Sequence, residues 1–234
     1  MNKFCVVTGG TKGIGRAIID KFASQGFDIV TCARNLDDLS ILAKTISKQY
    51  GVVVHTCQAD MSDKTQVANF AAFVLDLHRP IDVLINNAGY FIPGKVIDEK
   101  EGALESMINT NLYSAYRVTR ALIENMKAKK SGHIFNLCSI ASIIAYPNGG
   151  SYTISKFAMF GFSKVLREEL KPWGIRVSAV LPGATFTASW EGVNLPEDRL
   201  MKAEDVAEVV YSAYSLSGRS VVEEILIRPL LGDL

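Results

Sequence analysis

The stretch Phe4-Cys5-Val6-Val7-Thr8-Gly9-Gly10-Thr11-Lys12-Gly13-Ile14-Gly15 decides the fold. Phe4 to Val7 is a short apolar run that reads as a buried strand, and Arg16 to Gln25 has the amphipathic spacing of a helix. The turn between them carries four glycines in the pattern T-G-x-x-x-G-x-G. Strand, glycine-rich turn and helix in that order form the context of a dinucleotide site. Glycines let the backbone approach a pyrophosphate, and a helix N-terminus offers free N–H groups and a partial positive charge. An ordinary βα turn also uses glycine for positive φ. The place of this segment in the first βα unit favours the nucleotide reading.

Working outward, strands and helices alternate. Strands are expected near 3–8, 28–33, 52–57, 81–85, 132–138, 175–181 and 222–228, and helices near 14–25, 36–49, 63–77, 101–128, 151–171 and 203–216. Such alternation predicts an α/β Rossmann-type fold: a seven-stranded, mostly parallel, doubly wound sheet with helices on both faces. The 234 residues are 48% hydrophobic, enough for a sheet buried on two faces, and contain no repeat or linker. One domain over residues 1–234 is expected. Residues 184–202 lack periodicity, follow Pro182-Gly183, and are the natural place for a substrate lid.

The formal charge of +1 asks for neither nucleic acid nor an anionic membrane. No run reaches transmembrane length, and a strand begins within three residues of the N-terminus, so a cytoplasmic protein without a signal peptide is expected. Cys5, Cys32, Cys57 and Cys138 form no C-x-x-C and read as reduced, buried small hydrophobes. His55, His78 and His133 are scattered, and no metal site is expected.

Three further segments carry chemistry. Asn86-Asn87-Ala88-Gly89 follows the apolar run Ile81–Ile85, so small and amide residues sit at a strand's C-terminal edge, where backbone can approach a ligand. Asn111, in Asn109-Thr110-Asn111-Leu112, is a mediocre helix former in a helical stretch, which suggests a polar task. Tyr152 and Lys156 stand four apart on one helix face, with Ser139 thirteen residues upstream. An ammonium one turn from a phenol favours the phenolate, which makes a tyrosine usable as an acid or base near neutral pH.

In this order and at these distances, T-G-x-x-x-G-x-G, N-N-A-G and Y-x-x-x-K resemble the short-chain dehydrogenase/reductase family, and the match covers nearly the whole chain. The resemblance implies hydride transfer between a nicotinamide cofactor and a carbonyl. It gives Tyr152 as proton donor, Lys156 on the nicotinamide ribose, Ser139 polarising the carbonyl with Ser142 as its rival, and Asn111 securing a water that resupplies protons. By position it places Gly9, Thr11, Lys12, Gly13, Ile14 and Gly15 at the pyrophosphate, and Asp60 with Met61, Asn87, Ala88 and Gly89 on the adenosine side. Pro182, Gly183, Thr185 and Thr187 match the P-G-x-x-x-T segment at the carboxamide. For Asp60, a helix N-cap is the rival reading, with Ser62 also able to cap.

Charge argues the cofactor. After the second strand no acid occurs before Asp37; Arg34 and Asn35 stand there instead, and Lys12 lies in the glycine turn. An acid would select NAD through the ribose hydroxyls, whereas a guanidinium matches a 2′-phosphate. NADP(H) is therefore expected over NAD(H), unless Arg34 merely pairs with Asp37 or Asp38. Tyr146 and Trp190 are the candidate substrate contacts. Thr187-Ala188-Ser189-Trp190 and the ending from Val221 resemble sepiapterin reductases of bacterial type, with Trp190 stacking on a pterin and Asp233 or Glu191 pairing with its edge. A 3-oxoacyl reductase acting on a carrier-bound chain, docked through Lys127, Lys129 and Lys130, is the alternative. A non-catalytic NADPH-sensing interaction protein is the alternative of another class. The resemblance also implies a homodimer or homotetramer formed through the helices of 101–128 and 151–171.

Overall fold

Seven strands form one sheet in the order β3-β2-β1-β4-β5-β6-β7, every registered pair parallel. The computed structural model describes residues 1–187 and 199–232. The strands are β1 (Phe4–Thr8), β2 (Asp28–Ala33), β3 (Val54–Gln58), β4 (Val83–Asn86), β5 (Gly132–Leu137), β6 (Ile175–Pro182) and β7 (Glu224–Ile227). They are joined by α1 (Gly13–Ser24), α2 (Leu36–Tyr50), α3 (Lys64–Asp76), α4 (Ala103–Ile108), α5 (Ser114–Lys129), α6 (Gly150–Leu170) and α7 (Ala203–Ser215). The chain winds from β1 out to β3, then returns to lay β4 against the other side of β1. That reversal opens a crevice above the C-terminal ends of β1 and β4, where ligands bind in folds of this type.

Alternate residues of the strands feed two apolar layers, which is why the strands read as continuous hydrophobic runs. Cys5, Val7, Ile29, Val83, Ile85 and Phe135 pack on α1 and α7 through Ile18, Phe22, Val206 and Val210. Phe4, Val6, Val30, Leu84 and Ile134 pack on α3, α5 and α6 through Phe70, Val118, Leu122 and Leu166. The sheet thus holds the crevice floor rigidly from both sides. No described helix is long and apolar enough to cross a membrane.

The structure departs from the sequence reading in two places that matter. The helix expected over 101–128 is interrupted: α4 ends at Ile108, a π-helical turn covers Asn109–Tyr113, and α5 begins at Ser114. A π turn inserts one extra residue and redirects the side chains within it. The N-cap of α3 is Asp63, whose side chain accepts from Gln66 N at 2.8 Å. Neither Asp60 nor Ser62 has that role, because Asp60 turns back on Ser62 instead.

Candidate active site

A cavity of about 1300 Å³ runs along the C-terminal ends of the strands. Its β2–β3 end is lined by Arg34, Asn35, Asp60 and Met61, its middle by the glycine turn and Ala88-Gly89, and its β5–β6 end by Ser139, Tyr146, Tyr152 and Lys156. The strand order thus brings together segments far apart in the chain.

The glycine turn is built by backbone needs. Gly9 has φ +69°, and its N–H donates to Cys32 O at 3.1 Å; a side chain is strained in that conformation. Thr8 Oγ1 accepts from Asn87 N and Ala88 N, both at 3.0 Å, and Asn87 Nδ2 donates to Thr8 O and Gly9 O, both at 2.9 Å. The N-N-A-G segment is therefore laced to the turn, and Asn87 spends its amide on the backbone. Gly15 does not line the cavity. It faces this lacing, and a Cβ there would lie 2.4 Å from Asn87 Nδ2 and 2.5 Å from Gly9 O. Thr11, Lys12, Gly13 and Ile14 do line the cavity. Helix α1 starts there with no side-chain cap and no acid in its first turn. Its free N–H groups and dipole suit an anion, so the residues present fit a pyrophosphate.

Charge at the β2–β3 end is positive. Lys12 pairs with Asp38 at 3.4 Å while remaining largely exposed. Among the described residues Arg34 makes no ion pair with Asp37 or Asp38, although its backbone carbonyl accepts from Gln58 Nε2. Asn35 caps α2 by accepting from Asp38 N at 2.9 Å. The Ser62 amide holds the Asp60 carboxyl below the usual carboxylate range, with help from the Ser62 hydroxyl and the Arg34 guanidinium.

At the other end, Tyr152 and Lys156 rise from α6. Lys156 is buried, donates from Nζ to Leu137 O at 2.7 Å, and sits 5.7 Å from the centre of the Tyr152 ring. Ser139 lines the cavity just beyond β5, its hydroxyl accepting from Ala141 N at 3.1 Å. Ser142 is fully buried, does not line the cavity, and accepts from Ser139 N. Of the two serines, only Ser139 lines the cavity that Tyr152 also lines. Asn111 lies in the π turn, is buried, and does not line the cavity. Its Oδ1 accepts from Tyr90 N at 2.9 Å, and its Nδ2 donates to Tyr90 O at 3.0 Å and to Ser155 Oγ at 2.9 Å. Asn111 Oδ1 and Lys156 Nζ both approach Gly89: a Cβ there would lie 3.1 and 3.6 Å from them.

Tyr146 lines the cavity, and burial, followed by the neighbouring Tyr152, pushes its phenol up. Pro182, Gly183, Thr185 and Thr187 line the wall after β6, with Gly183 N donating to Ile227 O at 2.8 Å. The segment beyond them closes at its base: Phe186 N donates to Met201 O at 2.8 Å and Met201 N to Ala184 O at 3.0 Å. Trp190, Glu191 and Asp233, and most of the expected lid, lie outside the described residues.

Sequence reasoning missed Tyr90, Phe91, Ser106, Thr110 and Arg228, all of which line the cavity. Phe91 packs edge-on against Tyr152, with ring centres 4.9 Å apart. Two signals were present. Tyr90-Phe91 directly follows the Asn86–Gly89 segment at a strand end, and Ser106 and Thr110 stand one helical turn apart.

A model of the short chain dehydrogenase family matches residues 3–198. The chain belongs to the short-chain dehydrogenase family. This short-chain dehydrogenase is accordingly an oxidoreductase. It is 34% identical to a sepiapterin reductase of Chlorobaculum tepidum, covering 100% of this chain and 99% of that protein. Among solved structures, a metagenomic short-chain oxidoreductase in complex with NADP is 33% identical, with a TM-score of 0.85 over 97% of this chain and 96% of that one. An alcohol dehydrogenase from the archaeon Thermococcus sibiricus, complexed with 5-hydroxy-NADP, superimposes with a TM-score of 0.92 at 28% identity, covering 98% and 97% of the two chains.

Proposed function

We propose that this short-chain dehydrogenase is an NADP(H)-dependent carbonyl reductase that converts a ketone to an alcohol, with Tyr152 as proton donor. One observation carries the reading: the glycine turn with its uncapped helix and the Tyr152–Lys156–Ser139 cluster open into the same cavity. When bound, the reduced nicotinamide supplies a hydride to the carbonyl carbon. Ser139 Oγ–H donates to the carbonyl oxygen as negative charge builds there. Tyr152 passes its proton to that oxygen, completing the alcohol, and the Lys156 ammonium stabilises the phenolate left behind. Asn111 Oδ1 and Lys156 Nζ both approach Gly89, and a water bridging the two would resupply the proton. The Asn111 donors are already engaged, so that water would use the oxygen.

NADP(H) over NAD(H) is supported by Arg34, which among the described residues forms no ion pair with Asp37 or Asp38, and by the NADP-containing relatives. The likeness to a sepiapterin reductase favours a ketone on the side chain of a flat heterocycle. Phe91 and Tyr146, flanking Tyr152, offer the aromatic wall such a ring would use. The carrier-bound reading is weakened by Lys127 and Lys129, which pair with Glu124 and Asp82. Asp82 precedes β4, so those lysines stand at the end of the sheet opposite the cavity. The half-exposed Tyr113, Tyr116 and Phe157 on α5, α6 and the π turn suit a homo-oligomer contact. NADPH oxidation measured with sepiapterin, acetoacetyl thioesters and simple diketones, for the wild type and Tyr152→Phe, tests the reading. Turnover of sepiapterin that vanishes in the variant is expected; equal rates in both would refute it.

A further inference from the structure

Helix α6 presents Tyr152 in its first turn, yet its own N-cap residue, Gly149, supplies no side-chain hydrogen bond. The missing acceptor comes from 52 residues upstream. Glu99 Oε1 accepts from Ser151 N at 2.9 Å, and Glu99 Oε2 accepts from the Ser151 hydroxyl. Ser151 immediately precedes Tyr152. The fit is tight: a Cβ on Gly150 would lie 2.1 Å from Glu99 Oε1 and 2.6 Å from Gly94 O. Gly94 fastens the same loop to the helix entry, donating from N to Asn148 O at 3.0 Å and bridging to Gly149. That loop begins with Phe91, which lies edge-on to the Tyr152 ring and 6.4 Å from the ring centre of Tyr146. Phe91, Gly94, Glu99, Ser151 and Tyr152 thus close a ring of contacts. It joins the cavity wall to the helix that carries the phenol.

We propose that Glu99, which does not itself line the cavity, is a positioning residue: it fixes the first turn of α6 and the Phe91 wall together, and so sets where the Tyr152 hydroxyl meets a carbonyl. The proposal rests on the reading of Tyr152 as proton donor. A displacement of about 1 Å at a reacting group costs on the order of a hundredfold in rate. The loss of a single helix cap is one that a domain of this size survives. Rate and stability therefore separate.

The test compares Glu99→Ala, Glu99→Gln and Tyr152→Phe with the wild type. It uses whichever carbonyl of the panel above the wild type reduces fastest, with NADPH affinity by fluorescence and Tm alongside. Glu99→Ala is expected to lose about 10- to 100-fold in kcat. NADPH affinity should stay within about twofold and Tm fall by only about 2–4 °C. Glu99→Gln, whose amide oxygen still accepts from Ser151 N, is expected to recover to within about fivefold of the wild type. A Glu99→Ala enzyme of normal kcat, a parallel loss of NADPH affinity, or no recovery in Glu99→Gln would each overturn the proposal. If Tyr152→Phe is inactive while Glu99→Ala is not impaired, this inference alone falls. Full turnover by Tyr152→Phe, or no turnover by the wild type, removes the underlying reading and this inference with it.

Discussion

Replacing Gly15 by alanine adds one methyl group at a tight joint of the glycine turn. The new carbon would lie 2.4 Å from Asn87 Nδ2 and 2.5 Å from Gly9 O, so these atoms must retreat by roughly 1 Å to reach ordinary contact. One of them is backbone, and the other holds two hydrogen bonds, to Thr8 O and Gly9 O. Losing both bonds costs about 2 kcal/mol and forcing the packing about 1–3 kcal/mol more. The helical preference of alanine returns about 1 kcal/mol. The net is a loss of about 2–4 kcal/mol, or a Tm lowered by roughly 5–15 °C. NADPH affinity, measured by fluorescence titration, should fall at least about tenfold, because the displaced carbonyl belongs to the turn that faces the pyrophosphate. Gly161→Ala is the control. It lies within α6, its added carbon would meet nothing within 4 Å beyond its own helix backbone, and it should gain about 0.5–1 kcal/mol without touching affinity. A Gly15→Ala protein that melts with the wild type and binds NADPH equally well would refute the reasoning.

Arg34→Asp should weaken NADP(H) by about 2 kcal/mol, roughly thirtyfold in Km, and reverse the preference toward NAD(H). Lys12→Ala should cost only about threefold, since that ammonium is exposed and shared with Asp38; Km values for both cofactors check the pair. Tyr152→Phe should lower kcat by about 10²- to 10⁴-fold while leaving NADPH affinity intact, as read by stopped-flow and equilibrium titration. His133 supplies a pH test. Burial, and then Arg176, lower its imidazole to about 2. Ser178 Oγ gives its hydrogen to Val222 O, so His133 Nε2–H must donate to Ser178, and the buried Nδ1, with no partner to receive a proton from it, stays unprotonated. Because the folded-state value lies below that of a free imidazole, this stability is whole above about pH 6.5 and lost as pH falls. About 2 kcal/mol should be gone by pH 5 in urea titrations, and a His133 ring that NMR finds charged in the folded protein at that pH would refute it.

Most of the fold was legible because strands buried on both faces, such as Phe4–Val7 and Ile81–Ile85, have no polar alternation to confuse their reading. The glycine turn and the Tyr152–Lys156 spacing were legible because their chemistry is local. The break at Asn109–Tyr113 was not, since one extra residue in a helical turn leaves no mark on apolar periodicity. The cap of α3 was not legible because Asp60, Ser62 and Asp63 are all competent acceptors, and only the backbone path selects Asp63. The choice between Ser139 and Ser142 depended on which hydroxyl faces the cavity, a fact of three dimensions. Glu99 was silent for the same reason, its partner lying in another element. Tyr90 and Phe91 were available to a reader who followed the chain past Gly89.

The two strands of backbone that meet at Thr185 and Met201 also bear on how such an enzyme changes its diet. They tie the wall after β6 to the approach to α7 through two backbone hydrogen bonds, so a change on either side reaches the cavity lining at Thr185. Exchanging the residues of this pair between relatives is therefore a direct way to reshape that wall.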